Sequence, residues 1–261
     1  MDESLHNATN EELAKLCTEA NPKRIVLYEF NGSARVVQIT ESVVVKIGAT
    51  DKEARNQNIA RTLLNPTIVY VPKVFRSFSL DGCRYLVMEY VQGRSSTELG
   101  INEAALRLLP ALEHFATVEG QHAGPLSGGV PSGLLWDPLQ DQPPSSTDEI
   151  ETYFNRRLVS PIPNSENYGT LHLSKRNLIL CHLDLAERNL LFLDNGSVAI
   201  FDWDSAGFYP QALEFCALVL NERYDDKLIS NTVKFLRHST MFYEQEVRLL
   251  VIAWGNNLRF W

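Results

Sequence analysis

His182-Leu183-Asp184 is followed five residues on by Asn189 and then, thirteen further, by Asp202. These oxygen-bearing side chains are the part of the sequence best equipped for chemistry. Asp184 is suited to take a proton from a hydroxyl. An amide and a carboxylate, Asn189 and Asp202, are ligand types that magnesium accepts, and magnesium commonly fills the rest of its shell with phosphate oxygens and water. Taken singly, an Asp or Asn in a loop more often makes a turn or caps a helix. The spacing argues for more. Two apolar runs, 190–193 and 197–201, flank Asp194-Asn195-Gly196, a tight-turn signal. A hairpin there folds the chain back, making neighbours of the residue before its first strand and the residue after its second. Asn189 and Asp202 then point oxygens into one pocket, with Asp184 one turn of loop away facing an attacking hydroxyl. His182 reads as a structural hydrogen-bonding residue, because a base at 184 makes a second one unnecessary.

The elements that must position this set come before and after it. Thr9-Asn10-Glu11-Glu12 is a capping box for a first helix, which Asn21-Pro22 stops. Strand-like runs follow at 24–30, 34–40 and 42–47, the first two joined by Asn31-Gly32. Thr50 and Glu53 open a second helix, which ends at Asn65-Pro66. Runs 71–75 and 84–90 read as two more strands, with Asp81-Gly82 turning between them. The order predicts a five-stranded sheet with one packed helix. After a break at Gln92-Gly93-Arg94, helical spacing runs over 102–119, with a kink or a restart expected at Pro110. A Gly-, Pro- and Ser-rich loop fills 120–147, a length that is usually functional or disordered. Helices are expected over 148–159 and from Ser174 into the apolar run 178–181, and the tail from Pro210 is mostly helical. The whole is α+β: residues 1–91 form a small sheet lobe and 92–261 a larger helical lobe.

His-x-Asp with Asn five residues after the Asp matches the catalytic loop of kinases, in which the Asp receives the substrate proton and the Asn holds magnesium. With its neighbours it resembles the aminoglycoside phosphotransferase and choline kinase superfamily, and most closely the fungal-type proteins of that group. The family's H-G-D-x-x-x-x-N loop and I-D-W-E strand end stand here as His182 to Asn189 and as Phe201-Asp202-Trp203-Asp204. Val43-Val44-Val45-Lys46-Ile47-Gly48 looks like its lysine strand, and Val71-Pro72-Lys73-Val74 like its I-P-V-P-K-V step. Leu86 to Gly93 looks like its interlobe hinge, and Ala206-Gly207-Phe208-Tyr209-Pro210 with Glu214 like its A-G-x-x-P-x-x-x-E segment. The likeness covers roughly residues 25–220.

The resemblance implies a bilobal protein-kinase-like fold and an enzyme that uses ATP and Mg²⁺ to phosphorylate a hydroxyl of a small molecule. Candidate acceptors are aminoglycoside-like compounds, amino alcohols and other hydroxylated metabolites. It implies Asp184 as base, with Asn189 completing the catalytic loop, and Asn189 and Asp202 as metal ligands. Lys46 should contact the α- and β-phosphates. Glu53 is the candidate partner of Lys46, although it also fits a capping box. Glu89 to Val91 should bind adenine through the backbone, with Met88 behind it. The hairpin 30–35 should cover the phosphates, with Gly32 its single glycine. Leu183 departs from the family's Gly and opens a second reading, a nucleotide-binding pseudokinase with a regulatory or scaffold role. A protein kinase is the third. Ala186 where protein kinases carry Lys, and no A-P-E segment after Asp204, weigh against it.

Composition narrows the partners. A net charge of −8, from 24 basic and 32 acidic residues, disfavours nucleic acid and anionic membranes. It suits a cationic acceptor, for which Glu187, Glu222, Asp225 and Asp226 are candidate contacts, although a solvated charged face is the plainer reading of each. Cys17, Cys83, Cys181 and Cys216 form no metal or redox motif and read as free thiols. Without a signal-like N-terminus or a membrane-length apolar run, a cytoplasmic protein is expected. Neither the acceptor nor the oligomeric state is written in the sequence.

Overall fold

A computed structural model describes residues 5, 7–30, 34–137, 144–159, 168–223 and 226–260, without the side chains of residues 30 and 258–260. The Asn31-Gly32 turn and Asp225 lie outside the described residues. Helix α1 (Asn10–Leu16) begins at the expected capping box: Thr9 Oγ1 accepts the Glu12 N–H, and Glu12 reaches back to the Thr9 N–H. Five strands then form one antiparallel sheet in the order β1-β2-β3-β6-β5. They are β1 (Ile25–Phe30), β2 (Ala34–Thr40), β3 (Val43–Ile47), β5 (Val74–Leu80) and β6 (Cys83–Glu89). Side chains alternate across a strand. Val43 and Val45 therefore pack toward α1, while Val44 packs with Ala54 of helix α2 (Asp51–Leu63) and with Leu86 and Met88. Lys46, two residues after Val44, shares the α2 face.

The remainder is mainly helical. It contains α3 (Ser96–Leu99), α4 (Ile101–Thr117), α5 (Thr147–Leu158), α6 (Gln211–Glu222), α7 (Lys227–Arg237) and α8 (Glu244–Phe260). Its central core gathers Leu108, Leu112, Phe115, Trp203, Phe215 and Leu236, and a second core gathers Trp136, Phe154, Tyr209 and Leu250. Short strands stitch the loops between these helices. β4 (Val69–Tyr70), β10 (Val198–Ile200) and β9 (Leu190–Phe192) form one small sheet. β7 (Gly124–Pro125), β11 (Gly207–Pro210) and β8 (Leu178–Cys181) form another. The fold is the expected α+β, kinase-like arrangement. Among the described residues no helix is long and apolar enough to cross a membrane. All four cysteines are free.

Three local expectations need correction. The run 71–75 is not one strand. Pro72 has no N–H for a ladder, so Val69–Tyr70 pairs with β10, the chain crosses at Val71 to Lys73, and β5 begins at Val74. No helix starts at Ser174. A turn there runs directly into β8, whose Leu178 to Cys181 pair with Pro210 to Gly207. The four-residue apolar run belongs to a buried strand, which periodicity alone does not separate from a helical segment. Pro110 does not interrupt α4, which continues to Thr117. Pro110 sits on the exposed side, where solvent can satisfy the freed carbonyl of half-exposed Leu106, while Leu108, Ala111, Leu112 and Phe115 stay buried.

Candidate active site

The hairpin places the central residues. Gly196 adopts φ 91°, as the turn requires, and Asn195 Oδ1 accepts the Ser197 N–H (3.0 Å) and hydroxyl (2.7 Å). Leu190 pairs with Ile200, and the Phe201 N–H donates to the Asn189 carbonyl (3.0 Å). That bond closes the open end of the ribbon and brings Asn189 beside Asp202. Asp202 then takes a left-handed conformation (φ 62°, ψ 63°), uncommon without glycine. It turns the carboxylate toward the sheet.

There it meets Lys46. The ammonium lies 2.7 Å from Glu53 Oε1 and 3.0 Å from Asp202 Oδ1. Glu53 is buried on α2, while the Asp202 side chain is one-third exposed. Burial pushes the lysine toward its neutral form, but the two carboxylates outweigh it and raise its pKa, so Lys46 stays charged. Burial pushes the Glu53 carboxyl up to about 7, with Lys46 pulling it down and Asp202 adding to the rise. Thr50 caps α2 by accepting the Glu53 N–H (2.9 Å). Since the carboxyl is turned to Lys46, half of the capping box is present and the other half is given to the ion pair.

Asn189 donates through Nδ2 to the carbonyl (2.9 Å) and Oδ2 (3.0 Å) of Asp184, and its Oδ1 has no donor among the described residues. Asp184 also receives Arg188 Nη2, at 2.7 and 2.9 Å from its two oxygens. His182 is fully buried. Its Nδ1 accepts the Asp184 N–H (3.3 Å), its Nε2 donates to the Phe201 carbonyl (3.0 Å), and Trp203 packs on it edge to face. Burial holds the imidazole below its ordinary pKa, against the pull of Asp184 and Asp202, so the ring is a neutral bracket between loop and hairpin. Leu183 is left-handed (φ 63°) and buried. Glu214, on α6, accepts the N–H groups of His182 (2.6 Å) and Leu183 (2.9 Å) through one oxygen.

A cleft of about 650 Å³ joins these parts. Lys46, Glu53, Met88, Glu89, Val91, Asn189 and Asp202 all line it, whereas Asp184 lies at its edge, tied to it by Asn189 and Arg188. Met88 is buried at the back, where Gln57 Nε2 approaches its sulfur (3.6 Å). Glu89 is fixed by the Tyr70 hydroxyl (2.7 Å) and the Lys73 N–H (3.1 Å). The Tyr90 N–H is taken by the Ser42 carbonyl (2.9 Å), whereas the nearly buried Val91 N–H has no partner among the described residues. That places an unpaired backbone donor in the wall.

Several functional contacts are invisible in the sequence pattern. Asp204, also in the wall, accepts the Thr50 hydroxyl and that of Ser132 (2.7 Å). Asn56, fully buried on α2, donates to the carbonyls of Trp203 (2.9 Å), Asp204 (3.2 Å) and Ala206 (3.3 Å) and accepts the Ser127 N–H (2.9 Å). Two of the acidic residues considered for an amine, Glu187 and Asp226, are engaged locally. Asp226 caps α7 through Ile229 and accepts the Glu187 N–H (2.7 Å), and Glu187 takes the Ser96 hydroxyl.

A small antiparallel sheet with one inserted helix, a lysine–glutamate pair across them, and a helical body carrying His-x-Asp and Asn define a kinase-like phosphotransferase. The family model described as "Phosphotransferase enzyme family" matches residues 27–249, and the chain belongs to that family. A search of curated proteins by sequence returned no match. Among solved structures, aminoglycoside phosphotransferase APH(4)-Ia superposes with a TM-score of 0.62 at 16% identity, over 95% of this chain and 90% of that one. A thermostable mutant of it, in a ternary complex with AMP-PNP and hygromycin B, gives a TM-score of 0.62 at 14% identity, over 96% and 90%. At this identity the likeness is one of fold.

Proposed function

We propose that the protein transfers the γ-phosphate of ATP to a hydroxyl of a small molecule, with residues 1–91 forming the nucleotide lobe and 92–261 the catalytic and acceptor lobe. The observation that carries the reading is Lys46, held between Glu53 and Asp202 in the same cleft that Asn189 and Val91 line. In this reading adenine lies against Met88 and Glu89 to Val91, where the free Val91 N–H offers a donor. Lys46 is directed at the α- and β-phosphates. The Oδ1 of Asn189 and the carboxylate of Asp202 fit a hard cation that keeps phosphate and water oxygens. Among the described residues no group of three or more His, Cys, Asp and Glu could hold a metal unaided. A magnesium ion in that place would neutralise phosphate charge. The protein's own contribution is chiefly positioning and electrostatics.

The acceptor oxygen forms a bond to the γ-phosphorus as the bond to the ADP oxygen breaks, and the acceptor proton passes to Asp184. The products are a phosphate ester and ADP. Asn189 orients Asp184 through the 3.0 Å bond to Oδ2. Hydroxyls on aminoglycoside-like compounds, amino alcohols or other metabolites are the candidate acceptors.

The reading is tested by melting the protein with ATP, with and without magnesium, and by following slow ATP hydrolysis and turnover on an acceptor panel. Magnesium-dependent stabilisation is expected, with hydrolysis lost in Asp184→Ala and Asp202→Ala. Absence of any nucleotide effect on melting would overturn the reading.

A further inference from the structure

The cleft has an unfavourable charge for a triphosphate. Among the described residues lining it are Glu53, Glu89, Asp202 and Asp204, against two cations, Lys46 and Arg188. Lys46 is already held by two carboxylates. Other basic groups are already paired: Arg35 lies on Glu29, and Lys52 lies by Ser132 and by Asp204 of the cleft wall. Arg188 is different. It stands in the short turn Glu187–Asn189, next to Asn189 in the chain and paired with Asp184. A single nitrogen, Nη2, straddles both Asp184 oxygens, and the remaining N–H groups of the half-exposed side chain have no partner among the described residues.

We propose that Arg188 binds the γ-phosphate of ATP and is a catalytic residue of this protein; the proposal rests on the ATP reading above. A guanidinium presents several planar donors that match phosphate oxygens, whereas an ammonium offers a point charge. Its pairing with Asp184 is solvent-accessible, a contact of the kind that holds weakly. A phosphate can therefore draw it away, freeing Asp184 to face the acceptor while Asn189 keeps that carboxyl in place. With nucleotide bound, the charge that masked the base moves to the group being transferred, where charge stabilisation in the transition state is most effective.

The test compares AMP-PNP with ADP, both with magnesium, by calorimetry on the full chain. Wild type is expected to bind AMP-PNP at least tenfold more tightly. Arg188→Ala should bring that ratio to within about threefold of unity while ADP affinity moves less than twofold, and Arg188→Lys should fall between. The side chain is half-exposed, so Arg188→Ala should melt near wild type. Slow ATP hydrolysis should drop at least thirtyfold in Arg188→Ala. An unchanged ratio in Arg188→Ala, or a wild type that binds both nucleotides equally, overturns the proposal and leaves Arg188 as a tether for Asp184. Failure of wild type to bind either nucleotide is a separate result, which removes the ATP reading itself.

Discussion

The Glu214 carboxyl receives the Leu183 N–H at 2.9 Å inside a closed core, so a helix 31 residues downstream fixes the backbone beside the proposed base. The same oxygen takes the His182 N–H, and the other, Oε1, has no partner among the described residues. A leucine in left-handed conformation costs roughly 1–2 kcal/mol. The anchoring bonds and the burial of the side chain offset that cost.

Glu214 also sets a pH dependence. Burial pushes its carboxyl from 4.5 up to about 7, against the pull of the two N–H groups. Between these values the unfolded chain has released the proton and the folded chain has kept it. Stability from this group is therefore present below pH 4.5 and is lost as pH rises to about 7. The loss is on the order of 3 kcal/mol at 1.36 kcal/mol per unit. Glu214→Gln should flatten the fall in unfolding free energy between pH 5 and 8, measured by urea denaturation. A slope identical to wild type would contradict this.

The Lys46–Glu53 pair makes a second prediction. Removing one member of a buried pair leaves a charge without compensation, at a cost of about 3–5 kcal/mol. Lys46→Met should lose about that much stability. Lys46→Met/Glu53→Met should recover most of it, because the buried carboxyl is gone too. Neither should bind nucleotide with wild-type affinity. Denaturation curves read the first part and calorimetry the second. Equal stability of the single and double variants would argue against a compensating pair.

Two glycines should respond in opposite directions. Gly255 lies inside α8 with open space where a Cβ would go, so Gly255→Ala should gain about 0.5–1 kcal/mol. A Cβ on Gly207 would come within 2.3 Å of the Gly124 carbonyl, where β11 pairs with β7. Gly207→Ala should therefore lose stability by about 2 kcal/mol or more. Thermal melts of the two variants beside wild type decide both.

The hairpin from Asn189 to Asp202 was legible because its turn residues and apolar runs are local signals. Lys46 stands in a run of valines, and its role is read from the resemblance rather than from a local period. Glu53 was ambiguous because one sequence pattern serves both a helix cap and an ion pair, and in the fold its backbone does the first while its side chain does the second. The apolar runs around Pro72 and from Leu178 to Cys181 depart from expectation because a short run does not show which sheet it will join. Asn56, Glu214 and Arg188 act on partners chosen by packing. Asn56 reaches carbonyls about 150 residues away, and no local period encodes that.

Asn56 fastens α2 to the loop that follows Asp202, and α2 carries Glu53. In a kinase whose corresponding helix swings, that swing breaks or forms the lysine pair and so turns the enzyme on. Here four hydrogen bonds of buried Asn56 tie α2 to its neighbours. Those bonds hold α2 where the Lys46–Glu53 contact is closed, so opening that contact by moving the helix would first have to break them.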